Sequence, residues 1–548
     1  MTTEPSASNA PTGPPPKAAG RTVRIFGRTY PFVTPNIRDP RLHLAAVIIS
    51  IHVLGQIALG FRVSVPQILL AILVCAAIEV GWTLRKTGAL VWPASAMLTG
   101  SGVALILRLS DMQSDDHWTW RGWYVFALVA GLSLLTKYVI RYRGSHVFNP
   151  SNVGLVAAFL LLGSTRIEPL DFWWAPFDGW MIAAYLIILV GGLLITARLH
   201  LLGMSAAFWL TLAAGIGILA ASGHCMTARW SFEPVCGPHF WWVIVFSPEI
   251  LIFLFFMITD PKTTPAGRVA RIAFGMAVAM VCTLLIAPQA TEFGAKVALL
   301  SGLVVLCVAR LFLEKLLPAP GSERDRLGAF LAGLGRRGDG YLAPGRALAR
   351  GAIAGAAVVL LGTAVVASGA PAREAFVQTG ASASTAPSAG PPPGVHVDPS
   401  TLPTVSVDFE VTERGDLSQA EAQDVAVTLA ENLQVEAQAL RRGERSLLGS
   451  VDDGDRLTAM QERVDRVNET GTAVVPHYTF EAIQVVLVHS KGQSGLSLGL
   501  QSRGTVETVT YGVDGQERSR ETSPFAITFV LSRPTGDRWL TVDTRSND

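Results

Sequence analysis

Between Leu42 and Leu317 the chain is built from apolar runs of roughly 20 residues with almost no charge, such as LHLAAVIISIHVLGQIALGF and GWMIAAYLIILVGGLLITA, the length an α-helix needs to cross a bilayer. About ten such runs precede Leu317, and an eleventh spans Ala347 to Ser368. Beyond Leu417 the pattern changes. SQAEAQDVAVTLAENLQVEAQALRRG carries Val425, Val427, Leu429 and Leu433 at helical spacing, and LLGSVDDGDRLTAMQERVDRV continues as helix after a turn. Four stretches then alternate apolar and polar positions as strands do: HYTFEAIQVVLVHS, LSLGLQSRGTVETVTYGV, SPFAITFVLSRP and RWLTVDT. The pattern predicts an α-helical polytopic membrane protein, about ten spans in two repeats plus one further span. A C-terminal α+β domain follows it.

Composition agrees: 50% of residues are hydrophobic and 16% charged, with a mean hydropathy of +0.40, whereas soluble domains carry roughly 25% charge. The net charge of +2 says less than its placement. Arginine is dense in RTVRIFGRTYPFVTPNIRDPRL, and basic clusters recur at Arg85-Lys86, Lys137 to Arg143, Arg198 and Lys262 to Arg271. The intervening loops SDMQSDDHW, IEPLDFWWAPFDG and APQATEF are acidic or neutral. Cytoplasmic loops carry the excess of Lys and Arg, so one topology satisfies every loop. It predicts a disordered, basic cytoplasmic N-terminus (1–41), a membrane domain (42–317) and a basic cytoplasmic linker (318–346). An eleventh transmembrane helix (347–369), a Pro/Ala/Ser-rich linker (370–400) and an extracytoplasmic domain (401–548) complete it. The Pro/Ser/Ala-rich start has no apolar core of its own and does not read as a cleaved signal peptide. The expected setting is the inner (cytoplasmic) membrane, with the bilayer and other membrane or extracytoplasmic proteins as partners and no nucleic acid.

Cys75, Cys282 and Cys307 fall within spans, where a free thiol packs as a small apolar group. Cys225 and Cys236 share one outer loop, where an oxidising compartment favours a disulfide. His224 and His239 flank them, but their spacing follows no standard zinc pattern, and no metal site is assigned.

Four segments depart from simple lipid-facing helix. VWPASAMLTGSGVALILRLSD carries Thr99, Gly100, Ser101 and Gly102 in mid-span; KYVIRYRGSHVFNPSNVG runs from a basic loop into His146, Asn149, Pro150 and Asn152. SPEILIFLFFMITD places Glu249 near the membrane and continues into DPKTTPAGR, with Thr259, Asp260, Thr263 and Thr264. The first and third share a proline-led entry, an apolar run with threonine and an aspartate near the exit. Interrupted helices at matching places in two halves point to a binding site, since irregular backbone at membrane depth survives only where protein or ligand satisfies it. Plainer roles compete: the Thr-Gly-Ser-Gly patch allows close helix packing, Asn149-Pro150 is an ordinary helix entry, and Glu249 can snorkel. Glu79 is the other acid within a span, and the pair Glu79 and Glu249 are candidates for an ion path. Trp173, Trp174, Trp241 and Trp242 read as an interfacial belt.

Taken together, HVFNPSN after a basic loop, the Thr-Gly patch before an apolar run, and FFMITDPKTTP resemble the RnfD/NqrB membrane family, most closely its UnbU-type branch. Its members belong to the Rnf complex and to the sodium-translocating NADH:quinone reductase. The resemblance covers Leu42 to Leu317. It implies a membrane electron carrier whose redox steps drive sodium or proton transport. Members hold FMN esterified to a threonine in a Ser-Gly-Ala-Thr motif. This chain has no such motif; its nearest string, Ser368-Gly369-Ala370-Pro371, lacks the threonine, so covalent FMN is not supported. A non-covalent flavin (FMN or riboflavin) or a quinone is expected instead, at Thr99 to Ser101, Asn149, Pro150, Asn152, Thr259, Asp260, Thr263 and Thr264. Helices followed by a curved antiparallel sheet ending near Trp539 resemble a nuclear-transport-factor-like cone (NTF2-like) of the membrane-anchored IMS type, read as a binding or structural module. No catalytic residue is assigned, since His477 stands alone. The alternative is a non-redox scaffold or transporter component, or a tailoring enzyme in natural-product biosynthesis, recruiting a partner through the outer domain.

Overall fold

The computed structural model describes residues 22–330 apart from short loop pieces at 26, 111, 113–115, 143, 171–178, 229 and 232–233, then 336–337, 340–341, 356 and 359–373. From 395 to 546 it omits 409–410, 412–416, 489–496 and 534–537. Among the described residues 59% are helical, and a sheet region lies towards the C-terminus.

Among the described residues seven helices are long and apolar enough to cross a membrane. Before the first, β1 (Thr22–Ile25) and β2 (Arg28–Val33) form a hairpin that turns at Gly27, whose φ is 78°. The segment expected to be disordered up to residue 41 is therefore ordered from Thr22, because TVRI and RTYPFV on either side of a left-handed glycine have hairpin chemistry. Residues 1–21 lie outside the described residues. Helix α1 runs Pro40–Ile57 and α2 Val65–Thr87. A capping box starts α2: the Ser64 hydroxyl accepts from Gln67 N at 3.2 Å and Gln67 Oε1 accepts from Ser64 N at 2.9 Å. It stops at Gly88 in the left-handed region, φ 65°.

Next, β3 (Leu90–Val91) pairs with β2 and leads into α3 (Ala94–Ile106), only 13 residues long. Instead of continuing, the chain turns extended as β4 (Leu107–Leu109). After α4 (Trp123–Val139), the small hairpin β5 (Arg141–Tyr142) and β6 (Ser145–His146) feeds α5 (Pro150–Leu162), which ends in β7 (Ile167–Pro169). Strands β4 and β7 pair antiparallel with every residue buried. This ribbon inside a helical bundle is not suggested by the sequence pattern, because LRL sits within an apolar run.

Then come α6 (Gly179–Arg198), α7 (Leu202–Ala221) and the short pair β8 (Cys225–Met226) and β9 (Val235–Cys236), joined by the Cys225–Cys236 disulfide. Helix α8 (Gly237–Val245) breaks at Phe246 and restarts as α9 (Pro248–Ile252), with the Ser247 hydroxyl accepting from Ile250 N at 3.1 Å. A π-helical turn, Phe253–Met257, follows before the chain leaves as DPKTTP. Helices α10 (Arg268–Ile286) and α11 (Glu292–Leu316) complete the bundle.

One packing order recurs. In the first five helices α2 lies against α3 and α4, α4 against α5, and α1 against α3; in the second set α7 lies against α8 and α10, α10 against α11, and α6 against α9. The sets meet along α1 with α6 and α5 with α11. The expected linker 318–346 is partly structured: Asp325 is buried and accepts from Val269 N at 3.0 Å, tying a short 3-10 turn to the start of α10, and β10 (Arg336–Arg337) pairs with β11 (Gly340–Tyr341). Of the expected eleventh span, α12 (Val359–Arg373) is an apolar helix four residues longer at its C-terminal end; residues 347–355 and 357–358 lie outside the described residues, as do Trp173, Trp174 and 374–394.

The C-terminal domain has a sheet in the order β12 (Ser406–Val407), β13 (Ala473–Val488), β14 (Ser497–Tyr511), β15 (Glu517–Ser532) and β16 (Leu540–Ser546). All pairings are antiparallel except β12 with β13. Helix α13 (Gln419–Arg442) opens on a Ser418–Glu421 capping box and lays Val425, Leu429 and Leu433 against Val485, Leu500 and Phe529. Helix α14 (Gly454–Thr470) packs on β16.

Candidate functional site

All four irregular segments converge on one cavity of about 650 Å³. Helix α3 lines its length with Ser95, Leu98, Thr99, Gly102, Leu105 and Ile106. This i, i+3, i+4, i+7 spacing is one helical face, and at 1.5 Å per residue it runs about 16 Å. The opposite side of α3 is committed to packing. A Cβ at Gly100 would collide with the Ala71 carbonyl of α2, and Ser101 meets His52 of α1 at 3.3 Å. Also lining the cavity are Leu44 and Ile48 of α1, Ile195 of α6 with Leu199 just beyond its end, and Phe255 and Phe256 of the π-helical turn. Helix α6 approaches that turn because Gly192 leaves room for the Phe255 ring.

Polar groups gather at one end, where α1 and α5 begin and α2, α4 and α6 finish. The Asp39 carboxylate caps α1 and accepts from the Arg41 guanidinium at 2.6 Å; that hydrogen bond holds the Asp39 carboxyl below its usual range. Lys137 Nζ sits 3.1 Å from both Glu79 oxygens and donates to Ser95 Oγ at 3.1 Å. His146 Nε2 lies 3.2 Å from Asp260 Oδ2, while Asp260 Oδ1 accepts from Lys262 N at 3.0 Å. Asn149 caps α5 and donates through Nδ2 to Met257 O at 3.2 Å, pinning the α5 start to the end of the π-helical turn. π-helical turns inside α-helices recur at functional sites.

The residues expected to bind a cofactor divide. Thr99, Asn149, Pro150, Thr259 and Asp260 line the cavity, together with Gly102 and Glu79. Gly100, Ser101, Asn152, Thr263 and Thr264 do not. Asn152 donates to Leu300 O at 2.9 Å, fastening α5 to α11, and the buried Thr263 and Thr264 close the turn through Asp260 O at 3.0 and 3.1 Å. The two acids expected on an ion path also separate. Glu79 is on the cavity wall, whereas Glu249 lies with Glu292 around Lys296 Nζ, at 3.5 and 2.6 Å, where Lys296 also donates to Leu170 O. Nothing in the local pattern singles out Asp39, Arg41, Ser95 and Lys137. Asp39 and Arg41 start α1, while Ser95 and Lys137 stand on α3 and α4, and only the fold brings these elements together.

The cavity is amphipathic, with apolar lining from Leu98 to Ile106 along α3 beneath a charged rim. Its volume falls in the range of small-molecule sites. Ile48, Leu105, Phe255 and Phe256 give the lining its apolar walls, and Asp39, Arg41, Glu79, Lys137, Asp260 and Lys262 its charged groups. Comparison with protein-family models and with curated proteins finds no match to this chain.

Proposed function

We propose that the protein is an integral membrane electron-transport subunit that holds a flavin or quinone non-covalently in the α3–α5–π-turn cavity, with coupled ion transport. The observation that carries this reading is the convergence of Thr99, Asn149, Thr259 and Asp260, from separate interrupted segments, on one amphipathic cavity. These are the segments through which the chain resembles the RnfD/NqrB-type proteins. A bound ring would supply the redox chemistry; the protein would bind it, orient it and control water and charge around it. Phe255 and Phe256 would wall the ring, and Lys262 and the N-terminus of α5 would meet its polar substituents.

The reading includes ten membrane crossings in two sets of five. Seven long apolar helices and the shorter Ala94–Ile106, Trp123–Val139 and Pro150–Leu162 support that count. The basic loop clusters support a cavity mouth on the cytoplasmic side with Cys225–Cys236 on the other. The C-terminal domain is then an extracytoplasmic, nuclear-transport-factor-like module on α12 that recruits a partner protein.

The test is an absorbance and fluorescence spectrum of the detergent-purified protein before and after acid precipitation. Flavin released to the supernatant supports the reading, and Asp260→Ala then lowers the bound chromophore. Flavin retained in the pellet means a covalent attachment, against the non-covalent site. Colourless protein that takes up neither FMN, riboflavin nor a soluble quinone refutes it in favour of a non-redox scaffold or transporter component.

A further inference from the structure

The cavity is electrically balanced in one protonation state of one residue. The charged side chains on its wall are Asp39, Glu79 and Asp260 against Arg41, Lys137 and Lys262. They come from four places around the cavity: α1 gives Asp39 and Arg41, α2 Glu79, α4 Lys137, and the turn after the π-helix Asp260 and Lys262, while α3, α5 and α6 line it without charge. Behind that turn, α11 holds Arg310, which donates to Lys262 O at 2.8 Å. With three anions facing three cations, neutral His146 leaves the wall without net charge, and protonated His146 adds one positive charge. His146 and Asn149 are both buried on this wall, and much of the remaining lining is apolar. A new charge there is poorly screened and costly unless a counter-charge arrives with it.

Asp260 prepares His146 to supply that counter-charge. Its Oδ2 at 3.2 Å takes the hydrogen bond of Nε2–H, which selects one tautomer and leaves Nδ1 as the basic atom. Nδ1 has no hydrogen-bond partner among the described residues. The arrangement is the carboxylate–imidazole pairing that orients a base in acid–base sites, here on the wall of a cavity rather than in the core.

We propose that His146, oriented by Asp260, is the redox-linked proton acceptor of this cavity: an electron delivered to the bound ring is matched by a proton taken onto His146 Nδ1. This deepens the reading above and rests on it. The balance is one electron from an external low-potential donor and one proton from water at the mouth, both returned on oxidation. Asp260 is a positioning residue in this scheme.

The experiment uses the full chain in detergent loaded with riboflavin, photoreduced anaerobically with EDTA as electron donor in weakly buffered solution, with a pH-indicator dye reporting protons taken up per ring reduced. Free riboflavin treated identically gives the uptake of the ring and donor alone. Near pH 7 the wild type should take up about one more proton per electron-loaded ring than His146→Gln, which keeps polarity and loses the titrating nitrogen. Asp260→Asn should reduce the extra uptake, because the ring loses the carboxylate acceptor that fixes its tautomer. Histidine nitrogen NMR on the oxidised and reduced protein gives a second readout, with His146 shifting from neutral to doubly protonated. Equal uptake in wild type and His146→Gln at equal riboflavin occupancy overturns the proposal while leaving the redox reading intact. If His146→Gln does not fold, an Asp260→Asn profile identical to the wild type overturns it in the same way. Failure of the wild type to bind riboflavin or a soluble quinone overturns both.

Discussion

Asp452→Asn perturbs the place where burial and charge oppose each other most directly. Asp452 and Glu436 are each 1% exposed, and Arg456 grips the Glu436 carboxylate through Nε at 2.9 Å and Nη2 at 2.5 Å. No N–H or O–H of another described residue reaches the Asp452 carboxyl oxygens; what they meet is Glu436, so the contact is satisfied only by a shared proton. Burial first, and the Glu436 charge second, push the Asp452 carboxyl well above its ordinary value of 3.8. The folded protein thus keeps a proton that the unfolded chain has lost. Below about pH 4 both states are protonated and the site costs nothing through titration. Above it, stability falls by about 1.4 kcal/mol per pH unit until the folded-state value is reached. Asparagine has the same shape, and its amide donates to Glu436 as the shared proton does, without titrating. The variant should therefore be more stable than wild type near pH 7 by about 1 kcal/mol or more, with the gain vanishing towards pH 4. Hydrogen exchange of α13 and α14 peptides in the full-length protein, corrected for intrinsic rates, measures this locally. A variant that is less stable near neutrality, or whose pH slope matches the wild type, would refute the account.

Two further predictions concern the membrane domain. Gly100→Val should separate α2 from α3, because the added atoms meet the Ala71 backbone rather than a mobile side chain; overpacking of this kind costs about 1–3 kcal/mol, read as a lower melting temperature in detergent, whereas Gly102→Ala, in ordinary contact with Ser151, should change it little. Asn149→Ala removes both the α5 cap and the bond to Met257 O; loss of a cap costs about 1 kcal/mol, and faster exchange of the 253–262 backbone than of α5 itself would show that the bond to the π-helical turn matters more than the cap.

The apolar runs and the strand alternation were readable because each depends on local spacing alone: α13 and the cores of β13 to β16 fall where their patterns put them. Strand β15 starts six residues before the alternating run, since ERSRET is exposed on both faces and held only by pairing with β14. Within the site, the legible residues were those that break a pattern: a threonine in an apolar helix, Asn-Pro after a basic loop, an aspartate at a helix exit. What could not be read was which side of a short helix faces the cavity. Thr99 and Gly102 look outward to it while Gly100 and Ser101 look back to α2 and α1, and nothing in LTGSG distinguishes them until both neighbours are in place. Lys137 read as a loop cation and is instead the partner of Glu79.

The β4–β7 ribbon also governs how the chain can be made. Helices α3 and α5 have 13 residues each, about 20 Å of helix against a hydrocarbon thickness of about 30 Å. Each is extended by a three-residue strand whose main-chain partners lie on the other, with Leu170 N reaching back to Ile106 O at 2.6 Å and Ser110 N to Arg166 O at 3.2 Å. Neither segment is a self-sufficient hairpin leg for the insertion machinery. With ten crossings, as proposed, a nascent α3 would lack its main-chain partners until synthesis had passed Leu170, and the first five helices would enter the bilayer as one cooperative unit rather than span by span.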